Sequence, residues 1–424
     1  MTTASELSLD QTEPRSSILK TLIKRGYVNQ ATNLAGLDDA FSTGIVPAYA
    51  GFDATADSLH VGHLLVIMSL RRLQQAGHKP VVLIGGGTTR IGDPSFRSEA
   101  RPMLSETQIA ANVEGIRNVF NRFLTFGDGS TDAIMVNNAN WLGGLHWIDM
   151  LRDIGRHFSV NRMLSFDSVK SRLEKLENLS FLEFNYMILQ AYDFLELSQR
   201  VRCRLQMGGA DQWGNIVSGI DLVRRIAAEE VFGLTTPLLT TSSGAKMGKT
   251  AAGAVWLNAD RLSPYDYWQF WRNTEDADVS RFLRLFTDLP LDEIGSFDRS
   301  RGAELNAAKE RLANEATALA HGEEAARQAA QTARQAFGQG TAADGLPTVV
   351  LTSAEIAEGV ILADLLVRAG LAASKSEARR AIAGRGTRLD GEIVEDAERR
   401  INMLCVPSRL SLGRKRHVVI RIAD

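Results

Sequence analysis

The sequence predicts a doubly wound α/β domain with a parallel, Rossmann-like sheet, then a helical domain, then a small basic α+β domain. Three observations carry that expectation. Short apolar runs ending in glycine alternate with amphipathic stretches over roughly 200 residues, the rhythm of a parallel sheet covered by helices. After Pro264 this alternation stops, and residues 305–337 become rich in Ala, Glu and Arg at helical spacing, broken at His321-Gly322. From Ile361 onward the charge turns basic, with 13 Lys and Arg against 8 Asp and Glu, in a chain whose overall balance is −2.

Each element has its own signal. Residues 16–40 read as helix, with Ile18, Leu22 and Ile23 on one face, and residues 44–52 as a buried strand ending at a glycine turn. A helix over 61–76 turns Leu64, Leu65, Met68 and Leu73 inward and stops at Gly77. The continuous apolar run 80–84 ends in Gly85-Gly86-Gly87, as a strand buried on both faces of a parallel sheet should, so the βαβ crossover is expected to be right-handed. Further along come a helix over 106–123, a strand at 133–136, helices at 147–164 and 181–194, a strand at 202–207 and a helix over 212–228. Residues 338–345 have the composition of a linker. In the tail, Leu362, Leu365, Leu366 and Ala369 share a helix face, residues 376–383 form a second helix, and 387–394 a strand with a turn at Asp390-Gly391. The expected division is a sheet-bearing domain over 1–250, a helical domain over 251–338, a linker over 339–360 and a basic domain over 361–424.

Composition narrows the function. With 44% hydrophobic and 23% charged residues among 424, the chain is globular, and wholesale disorder, a collagen repeat and a coiled-coil rod are excluded. Two distant cysteines, Cys203 and Cys405, offer neither a disulfide framework nor a cysteine zinc site. The N-terminal residues lack an apolar signal core and no apolar run approaches a membrane span, so the expected location is the cytoplasm. The basic tail fits a phosphate backbone and, equally, a solvated charged face.

Two phosphate motifs nearly occur and both fail. Gly85-x-Gly87-x-x-Arg90 lacks the third glycine of the dinucleotide fingerprint, and Gly244-x-x-x-Gly248-Lys249-Thr250 is one residue short of the P-loop. His60-Val61-Gly62-His63 is sharper: two imidazoles at i and i+3 leave one side of a first helical turn, where backbone N–H groups and the helix dipole favour phosphate and Gly62 permits close approach. The competing readings are surface histidines or half a metal site, the latter without partners at ligand spacing. Lys246-Met247-Gly248-Lys249-Thr250 sets two ammonium groups on a glycine-containing loop able to close on a polyphosphate, although such a pair alone is most often solubilising.

These two segments resemble the HIGH and KMSKS signatures of class I aminoacyl-tRNA synthetases. The segments 49–53, 92–95, 186–193 and 208–215 are similar to those of bacterial-type tyrosyl-tRNA synthetases, and 373–380 to their S4-type RNA-binding domain. The resemblance runs from about Ile18 to the C-terminus. It implies activation of L-tyrosine by ATP, with magnesium travelling on the nucleotide, then transfer of the tyrosyl group to tRNA(Tyr) by a cytoplasmic homodimer. It further implies that Tyr49 and Asp193 pair the substrate hydroxyl, that Asp93, Tyr186 and Gln190 hold its ammonium group, and that Gln212 lies near the substrate. On the same ground His60, His63, Lys246, Lys249, Thr55 and Arg101 are expected at the reacting phosphates, and Gly51, Asp53, Gly209, Asp211 and Thr250 at ATP. RNA contacts are expected from Lys375, Arg379, Arg380 and Arg385. Two departures stand out: Gly248 replaces the serine of the general signature, and Arg97 replaces a frequent lysine, keeping charge but changing its shape. Alternatives are a tryptophanyl-tRNA synthetase, against which Tyr49 and Asp193 argue, and a non-catalytic RNA-binding protein on the same scaffold.

Overall fold

Six strands build the sheet of the first unit: β1 (Gln30–Ala31), β2 (Pro47–Asp53), β3 (Lys79–Gly85), β4 (Ile134–Asn137), β5 (Leu205–Gly209) and β6 (Phe232–Thr236). Their order is β1-β6-β5-β2-β3-β4, parallel throughout except for the short β1 at the edge. Chain order reverses beside β2, which lies between β3 and β5, and in such sheets ligands bind at the carboxyl ends of the strands flanking that point. The computed structural model describes residues 13–93, 103–244, 247–250, 253–338, 346–402, 408–413 and 416–423. The chain divides into one unit of Met1–Lys246 with Ser280–Asp298 and a second of Met247–Val279 with Arg299–Asp424.

Burial explains the strands. All but the first residue of β3 is buried, which is why its run is apolar without alternation. Three helices position the site: α1 (Val61–Gln75), α2 (Tyr186–Val201) and α3 (Trp213–Ile226). Tyr49, Val81 and Leu83 of the sheet join Ala191, Phe194 and Leu197 of α2 and Leu222 and Val223 of α3 in one buried cluster. The site residues on β2 and α2 therefore stand on closely packed elements.

Several boundaries differ from the expected ones. The single helix expected over 16–40 is two, Ser17–Arg25 and Leu34–Thr43, because Gly26 adopts φ +88° and caps the first while Asn33 caps the second. The helix expected over 147–164 is broken into short turns, including a π-helical stretch Met150–Ile154 and a 3₁₀ turn Gly155–His157, before Val160–Leu164. Residues 181–194 split at Asn185, and β5 begins at Leu205 because Arg202 ends α2 in a left-handed conformation. The linker expected over 338–345 lies outside the described residues apart from the end of the helix Glu323–Gly338.

In the second unit the helices Pro264–Arg272, Gly302–His321 and Glu323–Gly338 pack through small buried alanines, among them Ala308, Ala316, Ala320 and Ala329. A five-stranded sheet follows, in the order Glu392–Ile393, Thr387–Leu389, Ser408–Leu412, Arg416–Ala423 and Thr348–Thr352. The last strand pairs in parallel with Arg416–Ala423, so residues expected within a linker are sheet. The helices Leu362–Arg368 and Lys375–Ala383 join the apolar face of this sheet in a separate core.

A polar clamp joins the early helices of the first unit to its distant segment Ser280–Asp298. The helix Val279–Phe286 leaves its last carbonyls without intrahelical partners, and cationic side chains satisfy this end of the chain. Arg25 donates to the carbonyl oxygens of Arg284 (2.9 Å), Thr287 (3.1 Å) and Leu289 (2.6 Å), while the Tyr27 hydroxyl donates to that of Leu285. Arg71 and Arg72 share the carboxylate of Asp288, each at 2.5 Å. Partial burial alone would raise the Asp288 pKa; hydrogen bonds and charge from Arg71 and Arg72 outweigh it and bring the value to about 2. The folded value lies below the unfolded one, so the stabilisation is present above pH ~4 and is lost as pH falls towards ~2. After allowance for solvent at the half-exposed carboxylate, Asp288→Asn should destabilise the first unit by about 1–2 kcal/mol at pH 7. In urea unfolding the gap between wild type and variant should narrow between pH 4 and pH 3.

Candidate active site

The carboxyl ends of β2, β3 and β5 bring a set of polar side chains together. β2 delivers Tyr49 and, at its end, Asp53. Asp53 stands beside Gly85 of β3 in the parallel register. Its two oxygens are both used: Oδ1 accepts from the Thr88 hydroxyl (2.7 Å) and Oδ2 from the Tyr186 hydroxyl (3.0 Å). The glycine run after β3 serves this network, since a Cβ on Gly85 would lie 2.2 Å from Asp53 Oδ1 and 2.4 Å from Thr88 Oγ1. Steric need alone accounts for glycine there.

Asp193, on α2, is fully buried and held from two sides. Asn138 Nδ2 donates to Oδ2 (2.9 Å) and Trp141 Nε1 to Oδ1 (2.7 Å). Asn138 also donates to Thr88 Oγ1 (3.1 Å) and accepts the Gly87 N–H (2.8 Å), so one buried amide ties Asp193 to the Thr88–Asp53 pair. Burial pushes the Asp193 carboxyl up to about 7 against the lowering pull of these two donors. Beside it the Tyr49 hydroxyl, on a residue only 1% exposed, has no hydrogen-bond partner among the described residues. Its ring rests edge-on against Phe194 at 5.2 Å, and its pKa is raised well above the usual range by burial and then by Asp193. The Tyr49 hydroxyl is thus a buried group with unused hydrogen-bonding capacity beside a buried carboxylate.

A second chain of amides and carboxylates lies at the end of β5. Gln212 Nε2 donates to Asp93 Oδ2 (3.0 Å) and Asp211 Oδ2 (3.1 Å), and Asn215 Nδ2 donates to Gln212 Oε1 (3.1 Å) and Gln190 Oε1 (2.9 Å). Gly209 precedes them, where a Cβ would meet Asp211 Oδ1 at 2.3 Å. Burial raises the Tyr186 pKa well above the usual range, and the charges of Asp53, Asp93 and Asp193 raise it further. Asp53 and Asp93 thus make the surroundings of Tyr186 negative.

His60 and His63 form a reciprocal cap on α1. His60 Nδ1 accepts from Gly62 N (3.0 Å), and His63 Nδ1 accepts from His60 N (3.2 Å), with the rings 4.1 Å apart. The backbone N–H groups expected to face a phosphate are thus partly consumed by the imidazoles. In exchange, each ring with its Nδ1 accepting carries its proton on Nε2, leaving a neutral N–H donor on each half-buried histidine. Thr55 and Gly51 are exposed around β2, and a Cβ at Gly51 would meet only an ordinary contact, 3.7 Å from Leu83.

Arg97, Arg101 and Lys246 lie outside the described residues. Lys249 and Thr250 belong to the second unit, on a two-stranded hairpin with Gly253–Ala254, and their side chains also lie outside the described residues. Lys375, Arg379, Arg380 and Arg385 are exposed on the C-terminal module. Four polar residues of the network went unnoticed in the sequence: Thr88, Asn138, Trp141 and Asn215. The first three follow the carboxyl ends of β3 and β4, where the doubly wound rule puts ligands, and Asn215 is one turn beyond Gln212.

The family model described as tRNA synthetases class I (W and Y) matches residues 43–338, and an S4 domain model matches 362–403. The chain belongs to this class I synthetase family. A tyrosine–tRNA ligase of Dinoroseobacter shibae is 59% identical over 97% of this chain and 99% of its own length, and one from Rhodospirillum rubrum is 60% identical with the same coverage. Among solved structures, a C-terminally truncated mitochondrial tyrosyl-tRNA synthetase of Aspergillus nidulans superposes with a TM-score of 0.69 at 31% identity, covering 76% of this chain and 95% of that one. Within its family, the chain stands with the tyrosine–tRNA ligases.

Asp193 supplies a direct check on the buried network. Its folded pKa of about 7 exceeds the unfolded 3.8, so the native state binds more protons between these values and its contribution to stability falls as pH rises from ~4 to ~7. Asp193→Asn should flatten that dependence in urea unfolding, and a slope identical to wild type would refute the assignment.

Proposed function

We infer that this chain is a tyrosine–tRNA ligase, which activates L-tyrosine with ATP and passes the tyrosyl group to tRNA(Tyr). Similarity to tyrosine–tRNA ligases along nearly the whole chain supports the activity. The single observation that carries the substrate is the unpaired Tyr49 hydroxyl beside Asp193. Tyrosine's phenol offers one donor and an acceptor oxygen, so it can give its proton to Asp193 and accept from Tyr49 in one slot. Phenylalanine would fill the slot, leave the Tyr49 hydroxyl unsatisfied and bring Asp193 no further donor, and tryptophan would bring its N–H elsewhere.

The remaining roles follow from charge. The ammonium group of tyrosine sits among Asp93, Tyr186 and Gln190, with Gln212 beside the substrate. Its carboxylate is already ionised at neutral pH and attacks the α-phosphorus of ATP without a general base, so the protein's part is positioning and charge stabilisation. His60 and His63 offer neutral Nε2–H donors to phosphate oxygens, and Thr55, Arg101, Lys246 and Lys249 draw charge from the departing pyrophosphate. Gly51, Asp53, Gly209, Asp211 and Thr250 line the nucleotide. Among the described residues no three His, Cys, Asp or Glu side chains are grouped to cage a metal ion. Magnesium in this reading is held by the phosphates of ATP, where it offsets their charge.

We assign the functional parts as 1–250 for catalysis, 251–338 for the anticodon side of tRNA, 339–360 as connector and 361–424 for RNA binding. Lys375, Arg379, Arg380 and Arg385 meet RNA phosphates. The protein acts as a homodimer in the cytoplasm. Support for the dimer is the exposure of large apolar side chains in the broken helical segment of the first unit, including Trp147 (54%), Ile148 (69%) and Val160 (59%), and of Phe181 (68%) in a later helix. Trp147 and Phe181 meet edge-on and share one exposed patch, which a second copy would cover.

Three outcomes test this reading. An amino-acid panel should give pyrophosphate exchange into ATP with tyrosine and not with tryptophan; the reverse would make the chain a tryptophan enzyme, and tRNA binding without any exchange would make it non-catalytic. Lys249→Ala should lower exchange sharply, on the order of 100-fold, as loss of a transition-state charge contact does. Deleting 361–424 should weaken tRNA charging more than exchange.

A further inference from the structure

The basic face of the C-terminal module is occupied by the module's own carboxylates. Its helix Lys375–Ala383 buries Ala378 and Ile382, which turns Arg379 outward, and Arg385 follows just beyond the helix, also exposed. The loop 394–398 faces these two arginines. Its shape is fixed: Val394 is buried and donates its N–H to the Thr387 carbonyl (3.0 Å), Ala397 packs on the apolar core, and Asp396 Oδ1 accepts the Glu398 N–H (3.0 Å). Glu395 is thereby delivered to Arg385, whose Nε and Nη2 reach one carboxylate oxygen at 2.8 and 2.7 Å. Glu398 meets Arg379 in the same way, Nε and Nη2 both at 2.9 Å from Oε1.

We propose that the loop 394–398 is a built-in competitor of RNA phosphate, in which Glu395 and Glu398 hold the forks of Arg385 and Arg379 until a nucleic-acid backbone displaces them. The proposal rests on the reading that these arginines contact RNA. A phosphodiester offers the guanidinium the same kind of acceptor as a carboxylate, so binding exchanges one for the other and releases both glutamates to water. All four side chains are more than half exposed, so the pairs are weak and the exchange is easy. Competition of this kind lowers affinity for any RNA backbone and leaves shape or base readout untouched. It favours release of charged tRNA over retention.

The test uses the full-length chain, tRNA(Tyr) and an unrelated tRNA, with dissociation constants measured at low and high potassium chloride. Glu395→Gln with Glu398→Gln should tighten binding of both RNAs by about 2- to 20-fold at low salt, with the gain shrinking at high salt. Glu358→Gln with Glu392→Gln removes the same charge from carboxylates of this module that hold neither arginine, and should change affinity less. In an Arg379→Gln, Arg385→Gln background the first pair of substitutions should have no more effect than the control pair. An equal gain from the control pair in the wild-type background, a gain beyond the control's that survives loss of the arginines, or no gain at all overturns the proposal. If the arginine substitutions alone leave RNA affinity unchanged, the underlying assignment of Arg379 and Arg385 to RNA fails instead.

Discussion

A buried carboxylate held by two neutral donors is the constraint on which the first unit is arranged. Asp193 has no cation beside it among its hydrogen-bond partners; Asn138 and Trp141 hold it, and Asn138 in turn grips the loop after β3 through Gly87 and Thr88. Removing such a carboxylate from water is costly, so its position is tolerated only where the donors are fixed. Fixing them requires β4, α2 and the turn after β3 to meet at one point. The glycine at position 85 is part of the same bargain, because any side chain there would push into Asp53 and Thr88.

The polar side chains at the carboxyl ends of the strands fall into two groups. Tyr49 and Asp193 form one, and Asp93, Gln190 and Gln212 the other, with Tyr186 joined to Asp53. In the first group one buried hydroxyl, that of Tyr49, is without a hydrogen-bond partner among the described residues, so no bond offsets its desolvation. The two imidazoles add a different device. By accepting backbone N–H groups of their own helix turn they fix their tautomer and the orientation of both rings.

Charge in the C-terminal module obeys the opposite logic, weak and exposed where the pocket is strong and buried. Its surplus of cations is drawn from the composition, yet the cations stand in ion pairs: Lys375 with Asp364, Arg379 with Glu398 and Arg385 with Glu395. The count of 13 Lys and Arg therefore overstates how many cations stand unpaired before RNA arrives.

Much of this was readable from the chain alone. The parallel sheet was legible because strands buried on both faces must be continuously apolar, and Val81-Val82-Leu83-Ile84 is. The helix over 106–123 was legible because its polar and apolar residues keep one period from end to end. The broken segment 147–164 was not, because its apolar residues mimic a helix face while facing outward. Nor was the strand Thr348–Thr352, whose pairing partner Arg416–Ala423 is distant in sequence. At the site, signature residues such as His60, His63 and Asp193 could be singled out by type and spacing. Sequence alone thus determined which chemical groups the protein owns and the periodicities that fold it, since both are local properties of the chain. Only the tertiary structure decided that Thr88, Asn138 and Trp141 hold Asp193 and Asp53, and that Tyr49 is left unpaired. Hydrogen bonding and burial depend on which distant segments meet, and no local pattern records that.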